Sequence, residues 1–246
     1  MQIYYTQADL APDLVALTRQ IPEIQLIYGL NNDPQQLCLC LAGDGLWLYT
    51  PQFKPLNFKL FYGDFIYKRQ RSLQRELLVQ AINLKASTGV RALDLMAGLG
   101  RDSLVLSMLG YQVTMVENNP YLAVILNYLC AEFKSLLPHL KVVYAGAHDY
   151  VASLEREQFE VIYLDPMFAD NKSALAKKDM QLIELLINYA APCAASDYAA
   201  LFTLCQAHCL KKIIVKRDNK QAALLKTPRA TYAKAGKIIR FDVYQC

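Results

Sequence analysis

The chain has 246 residues, of which 54% are hydrophobic and 20% charged, with ten glycines and ten prolines. That length fits one large domain, or one domain with a small appendage, and the composition excludes disordered, collagen-like and low-complexity classes. A net charge of +4 permits a polyanionic partner without requiring one, since dedicated nucleic-acid domains are more basic.

The opening segment MQIYYTQADLAPDL carries Asp9 and Asp13 and no basic stretch, so it does not read as a signal peptide. No apolar run approaches the roughly 18 residues that span a bilayer, and the expectation is a soluble, cytoplasmic protein. Short extended pieces at 24–28, 36–42 and 46–49 are broken by Asn-Asn-Asp-Pro and Gly-Asp-Gly. They predict a small β-rich N-terminal unit over residues 1–63, followed by a larger domain over 64–246. The segment 64–83 carries Lys68, Arg69, Arg71 and Arg75, and its later part places Leu73, Leu77, Leu78, Ala81 and Ile82 at helical spacing. From Arg91 the pattern alternates. Strands are predicted at 91–96, 112–117, 141–144, 160–164 and 211–216, with helices at 102–109, 121–137, 176–189 and 198–209. Such β-α alternation predicts an α/β fold with a parallel sheet covered on both faces. Segments 229–234 and 237–244, joined by Ala235-Gly236, predict a closing antiparallel hairpin.

The seven cysteines are Cys38, Cys40, Cys130, Cys193, Cys205, Cys209 and Cys246. Their odd number, the lack of a CxxC pair and their apolar flanks predict buried reduced thiols. Cys205, His208 and Cys209 lack a fourth ligand, so no metal is expected.

In an open α/β sheet, ligands bind beyond the carboxyl ends of the strands. The first of these strands runs into Asp94-Leu-Met-Ala-Gly98-Leu-Gly100-Arg101-Asp102. Its glycines allow a tight turn and close approach of a ligand. Asp94 and Asp102 around the turn repel a diphosphate and suit a cationic ligand, although Asp102 also reads as a helix N-cap. The next strand ends at Glu117, 17 residues after Gly100, where an acid grips ribose hydroxyls; Asn118 follows it. After the third strand, Gly146 and Ala147 are small enough for a flat base to lie against the backbone.

The fourth strand delivers Asp165-Pro166-Met167-Phe168. An Asp-Pro pair reads either as a strand stop or as a catalytic loop. In the second reading, the Asp165 carboxylate and the Pro166 carbonyl accept the two protons of an exocyclic amino group, and Phe168 stacks on the base. Orientation and electrostatics then favour attack by a poorly nucleophilic aromatic amine. Lys172, Lys177 and Lys178, and Lys216 with Arg217 after the fifth strand, read either as solvated faces or as a grip on phosphate. A nicotinamide-dependent oxidoreductase shares the strand-turn-helix but leaves the Asp-Pro-Met-Phe loop unexplained. A non-catalytic RNA-binding protein leaves both Asp165 and the glycines unexplained.

DLMAGLGRD, VENNP, YLDPMF followed by KSALAKK, then IIVKR and RFDVY resemble the bacterial small-subunit ribosomal RNA guanine-N2 methyltransferase J family, over about residues 61 to 244. The resemblance implies a class I fold with a seven-stranded sheet and S-adenosylmethionine (AdoMet) as methyl donor. It further implies N2 methylation of a guanine near the 3′ end of small-subunit rRNA, with a tRNA or DNA amino-group methyltransferase as the nearest rival. By position, Arg101, Asp102 and the Gly98–Gly100 turn would line the AdoMet site, with Glu117 and Asn118 at the ribose and Gly146 and Ala147 at the adenine. Asp165 would be the acid of the catalytic Asp-Pro loop. Apart from the resemblance, Lys68, Arg69 and Arg71 read either as a further hold on RNA or as part of a plain structural cap. The family's His-Arg-Arg-Lys segment and glycine run before the first Rossmann strand are replaced here by a charged but glycine-free stretch from Tyr67 to Glu76.

Overall fold

The computed structural model describes residues 2–8, 15–16, 18–19, 21, 24–29, 37–50, 54–84, 89–155, 158–166, 185–186 and 197–246. Two β-sheets organise it. The smaller has the order β2-β1-β3-β4-β5, with β1 (Gln2–Tyr5), β2 (Gln25–Tyr28), β3 (Cys38–Ala42), β4 (Gly45–Tyr49) and β5 (Leu56–Asn57). This is the β-rich N-terminal unit, and β3 and β4 turn at the predicted Gly-Asp-Gly, pairing Ala42 with Gly45. β1 went unpredicted because its parallel partners, β2 and β3, are distant in sequence.

Asn57 then caps α1 (Phe58–Gln70), its side chain accepting the Leu60 N–H at 3.1 Å. Phe58, Tyr62 and Ile66 form the buried stripe of α1, at the spacing one helical face requires. The helix expected from Leu73 to Ile82 is a 3-10 turn at Leu73–Arg75 followed by α2 (Leu77–Ile82), and α1 before it was not expected. The expected boundary between residues 63 and 64 falls inside α1.

The larger sheet has the order β11-β12-β10-β9-β6-β7-β8. Its strands are β6 (Arg91–Asp94), β7 (Gln112–Glu117), β8 (Leu140–Tyr144), β9 (Phe159–Leu164), β10 (Cys209–Asp218), β11 (Tyr232–Ala235) and β12 (Ile239–Gln245). β6 to β10 run parallel, and β12 lies antiparallel between β10 and β11. The interleaved helices are α3 (Arg101–Met108), α4 (Pro120–Glu132), α5 (Ala147–Ala152) and α6 (Tyr198–His208). α4 stops short of the predicted residue 137, ending at Glu132 with Phe133 as its C-cap. The helix expected at 176–189 lies outside the described residues apart from 185 and 186.

Strand alternation splits the interior into two apolar layers. Ala92, Val161, Tyr163 and Ile214 share one layer with residues of α1 to α4, and Leu93, Ile162, Leu164 and Val215 share the other with Leu201, Phe202 and Cys205 of α6. The first layer also takes in Ile3, Leu39, Leu46 and Leu48 of the small sheet, so both sheets close on one core. Nearly apolar all round, α4 is buried. Its Tyr128 hydroxyl lies so close to Gly45 that a Cβ there would stand 3.0 Å away.

One expectation about the thiols is corrected. Cys209 and Cys246 are disulfide-bonded, with their Cα atoms 6.0 Å apart. Antiparallel pairing of β10 with β12 returns the chain end to the start of β10, a meeting hidden by the 37-residue separation. Cys38, Cys40, Cys130 and Cys205 are not disulfide-bonded, and Cys193 lies outside the described residues. Among the described residues no helix is long and apolar enough to cross a membrane, and no three His, Cys, Asp or Glu side chains gather as a metal site.

Candidate active site

The carboxyl ends of β6, β7, β9 and β10 converge on one edge of the larger sheet. Between β6 and α3 the chain turns through Gly98 (φ 54°) and Gly100 (φ 68°), a left-handed region that disfavours side chains. Gly100 is also packed tightly: a Cβ there would lie 2.7 Å from Leu126 Cδ2. At Gly98 a Cβ would meet nothing within 4 Å, so the turn is open on that side. α1 lies against the turn, and the Tyr62 hydroxyl donates to the Leu99 carbonyl at 3.0 Å. The Arg101 guanidinium sits over the rings of Phe61 and Phe65, at 4.9 and 5.9 Å.

Glu117 ends β7, buried. One carboxylate oxygen accepts the Gly98 N–H and the other the Asn119 N–H, both at 2.8 Å. Burial raises its pKa against the pull of these amides. The Asn118 N–H also acts on this carboxylate, so three backbone amides fix its orientation at the strand end. Asn118 beside it is exposed, and the Asn119 side chain caps α4 by accepting from Tyr121 and Leu122. After β8, Gly146 is the N-cap of α5 and Ala147 its first residue, both half-buried.

Three acids and a lysine meet at this edge of the sheet. Asp94 is 1% exposed. It accepts from Ser103 Oγ at 2.6 Å and from the Met96 N–H at 3.3 Å, and burial lifts its pKa to about 7. Asp102 is not an N-cap; Gly100 holds that position. Instead, Asp102 Oδ2 accepts both the Tyr163 hydroxyl at 2.7 Å and Lys216 Nζ at 2.8 Å. Lys216 Nζ also reaches Asp165 Oδ2 at 2.9 Å. The sheet dictates that neighbourhood, because Leu164 pairs with Val215 and the next positions are Asp165 and Lys216. Asp165 is partly exposed, Pro166 is buried, and Phe168 lies outside the described residues. Burial raises the Asp165 pKa, with Lys216 opposing and Asp102 assisting. For Lys216, burial works against the charge, but Asp102 and Asp165 outweigh it and raise the pKa.

The expected phosphate contacts fare unevenly. Lys216 is committed to the two carboxylates. Arg217 is buried and turned inward, donating Nε and Nη2 to the Ala222 carbonyl at 3.0 and 2.7 Å. Neither placement fits a grip on RNA, because strand alternation sends one side chain into the acid cluster and the next into the opposite layer. On α1, Lys68 pairs with Asp64, and Arg69 pairs with Glu76 at 2.5 Å. Arg71 lies 4.2 Å over the Tyr67 ring. Lys172, Lys177 and Lys178 lie outside the described residues. Tyr163 and Ser103, which hold the acids in place, were not singled out from sequence; both are found through strand register and helix phase.

These features define a class: a seven-stranded α/β sheet with an open glycine turn, a buried acid ending the second strand and an Asp-Pro strand end, as in AdoMet-dependent methyltransferases. The comparisons agree. A family model described as "Putative SAM-dependent methyltransferase" matches residues 23–246. The Ribosomal RNA small subunit methyltransferase J of Thioalkalivibrio sulfidiphilus is 32% identical, covering 99% of this chain and 97% of that protein. Its namesake from Nitrosococcus oceani is 30% identical, covering 87% and 86%. A crystal structure of a SAM-dependent methyltransferase from Neisseria gonorrhoeae, 22% identical, superposes with a TM-score of 0.72, covering 100% of this chain and 96% of that one. The chain belongs to the ribosomal RNA small subunit methyltransferase J family and is an AdoMet-dependent enzyme.

AdoMet fits the residues present. The two oxygens of Glu117 are oriented by backbone amides, Gly98 leaves space at the turn, and the acids of the sheet edge suit a sulfonium.

Proposed function

We propose that this protein methylates the exocyclic N2 of a guanine near the 3′ end of small-subunit ribosomal RNA, acting in the cytoplasm on the rRNA or its 30S particle. The observation that carries the reading is Asp165: a carboxylate held at the end of β9, beside the glycine turn, with Pro166 next. Family membership supports the rRNA substrate.

In this reading Glu117 holds the ribose, with Asn118 beside it. The Gly98–Gly100 turn and Arg101 line the methionine side, and Gly146 and Ala147 leave room for the adenine. AdoMet supplies an electrophilic methyl on a positively charged sulfur. The guanine, unstacked or already single-stranded, presents its amino group to Asp165 and the Pro166 carbonyl, with Phe168 against its ring. Those acceptors turn the nitrogen lone pair toward the methyl. With AdoMet bound, the methyl would pass to that nitrogen as its bond to sulfur breaks, leaving a neutral thioether. The proton shed by the methylated nitrogen passes to Asp165 or water, so Asp165 acts by orientation and charge. Lys68 and Arg69 on α1 and Arg71 just after it, with Lys172, Lys177 and Lys178, supply the positive charge for RNA.

The test offers label-bearing AdoMet and the purified enzyme equal amounts of undermethylated small-subunit particles, tRNA and duplex DNA. Label recovered as N2-methylguanosine from the particles alone supports the reading. Label confined to tRNA or DNA moves the substrate there and overturns it.

A further inference from the structure

We infer that Lys216 is a positioning residue for methyl transfer, its ammonium clamping Asp165 as an ionised, oriented acceptor for the attacking amino group. The inference rests on the methyltransferase reading above and goes beyond it, since that chemistry assigns Lys216 no part.

Three observations carry it. First, Lys216 is anchored before it reaches Asp165. Asp102 Oδ2 takes the Tyr163 hydroxyl at 2.7 Å and Lys216 Nζ at 2.8 Å, so α3 and β9 jointly fix where the ammonium stands. Second, Lys216 meets one oxygen of Asp165, Oδ2 at 2.9 Å, which assigns the amino-group proton to Oδ1. Third, the groups facing the pair are acidic or neutral: Asp94 from the end of β6, Asp102 from α3 and Tyr163 from β9. Carboxylates crowded in a low-dielectric edge tend to share a proton, and a protonated Asp165 is a poorer acceptor. The ammonium prevents that sharing. Burial and the acids hold the Tyr163 phenol well above its ordinary range, so it stays neutral.

The experiment measures kcat and KM for methyl transfer to small-subunit particles between pH 5.5 and 9.5, with AdoMet affinity measured separately on the same proteins. Lys216→Met, of similar length and uncharged, is expected to lower kcat at pH 7 by tenfold or more. Its acid limb should move up by at least one pH unit, with recovery toward pH 9 and AdoMet affinity within about threefold of wild type. Lys216→Arg should restore most of the lost rate. Asp102→Asn leaves Lys216 to Asp165 alone and should move the acid limb the opposite way, to lower pH. This second variant keeps the test decisive if Lys216→Met fails to fold. An unshifted acid limb in folded Lys216→Met, or an upward shift in Asp102→Asn, overturns the inference while leaving the methyltransferase reading intact. Absence of transfer by the wild type overturns both.

Discussion

The Glu117 carboxylate accepts the Gly98 backbone N–H across the strand ends at 2.8 Å, tying the acid at the end of β7 to the glycine turn that faces it. In the proposed function this one side chain shapes both walls of the AdoMet site. Glu117→Ala removes both functions and should weaken AdoMet binding at least tenfold by calorimetry. Glu117→Gln keeps one acceptor oxygen and should fall between the two. Equal affinity in all three proteins would remove Glu117 from the site.

The two glycines of the turn should respond differently to alanine. At Gly100 a Cβ meets Leu126 at 2.7 Å and Met115 Sδ at 3.3 Å, at a φ of +68°, so overpacking adds to backbone strain. Gly100→Ala should lose roughly 2–4 kcal/mol of stability. Gly98→Ala carries only the backbone cost, on the order of 1 kcal/mol, but puts a methyl group where the turn is open. Its main effect should be on AdoMet affinity. Thermal denaturation and AdoMet titration of both variants separate the two outcomes.

Tyr62→Phe removes the hydroxyl that donates to the Leu99 carbonyl at 3.0 Å. A buried carbonyl left without its donor should cost about 1–3 kcal/mol. Because Leu99 lies between the two glycines, AdoMet affinity should fall with stability. Chemical denaturation and titration of the same variant test both.

Asp94 makes stability pH-dependent. Burial lifts its folded pKa from 3.8 to about 7, against donors from Ser103 and Met96. The folded state therefore binds this proton more tightly than the unfolded chain. Its contribution is complete below the unfolded value and is lost as pH rises from about 4 through about 7. Asp94→Asn, which cannot ionise, should flatten that part of the profile, the difference reaching a few kcal/mol. Parallel stability curves for the two proteins between pH 4 and 8 would show that Asp94 does not titrate in this way.

Where local signals were complete, the sequence was readable. β7 was predicted at both ends because Gly110 precedes it and Asn119-Pro120 starts a helix directly after. Glu117 and Asp165 stand at the strand ends where the sequence places them, because a strand end fixes where its last side chain stands. α1 was missed, because the segment 58–62 alternates too little to mark a helix face until Tyr62 meets the Leu99 carbonyl. The Lys216 bridge was also hidden. A lysine after an apolar strand looks solvated, and only the pairing of Leu164 with Val215 brings it beside Asp165. The Cys209–Cys246 bond was missed for the same reason, since antiparallel register, not spacing, joins the two.

The most direct measurement of the central claim compares wild type with Asp165→Ala, following labelled methyl into undermethylated small-subunit particles in a single turnover, with AdoMet affinity determined on each. The account predicts N2-methylguanosine from the wild type and a loss of at least a hundredfold in transfer rate in the variant, with AdoMet affinity little changed. Transfer by Asp165→Ala at the wild-type rate would contradict it.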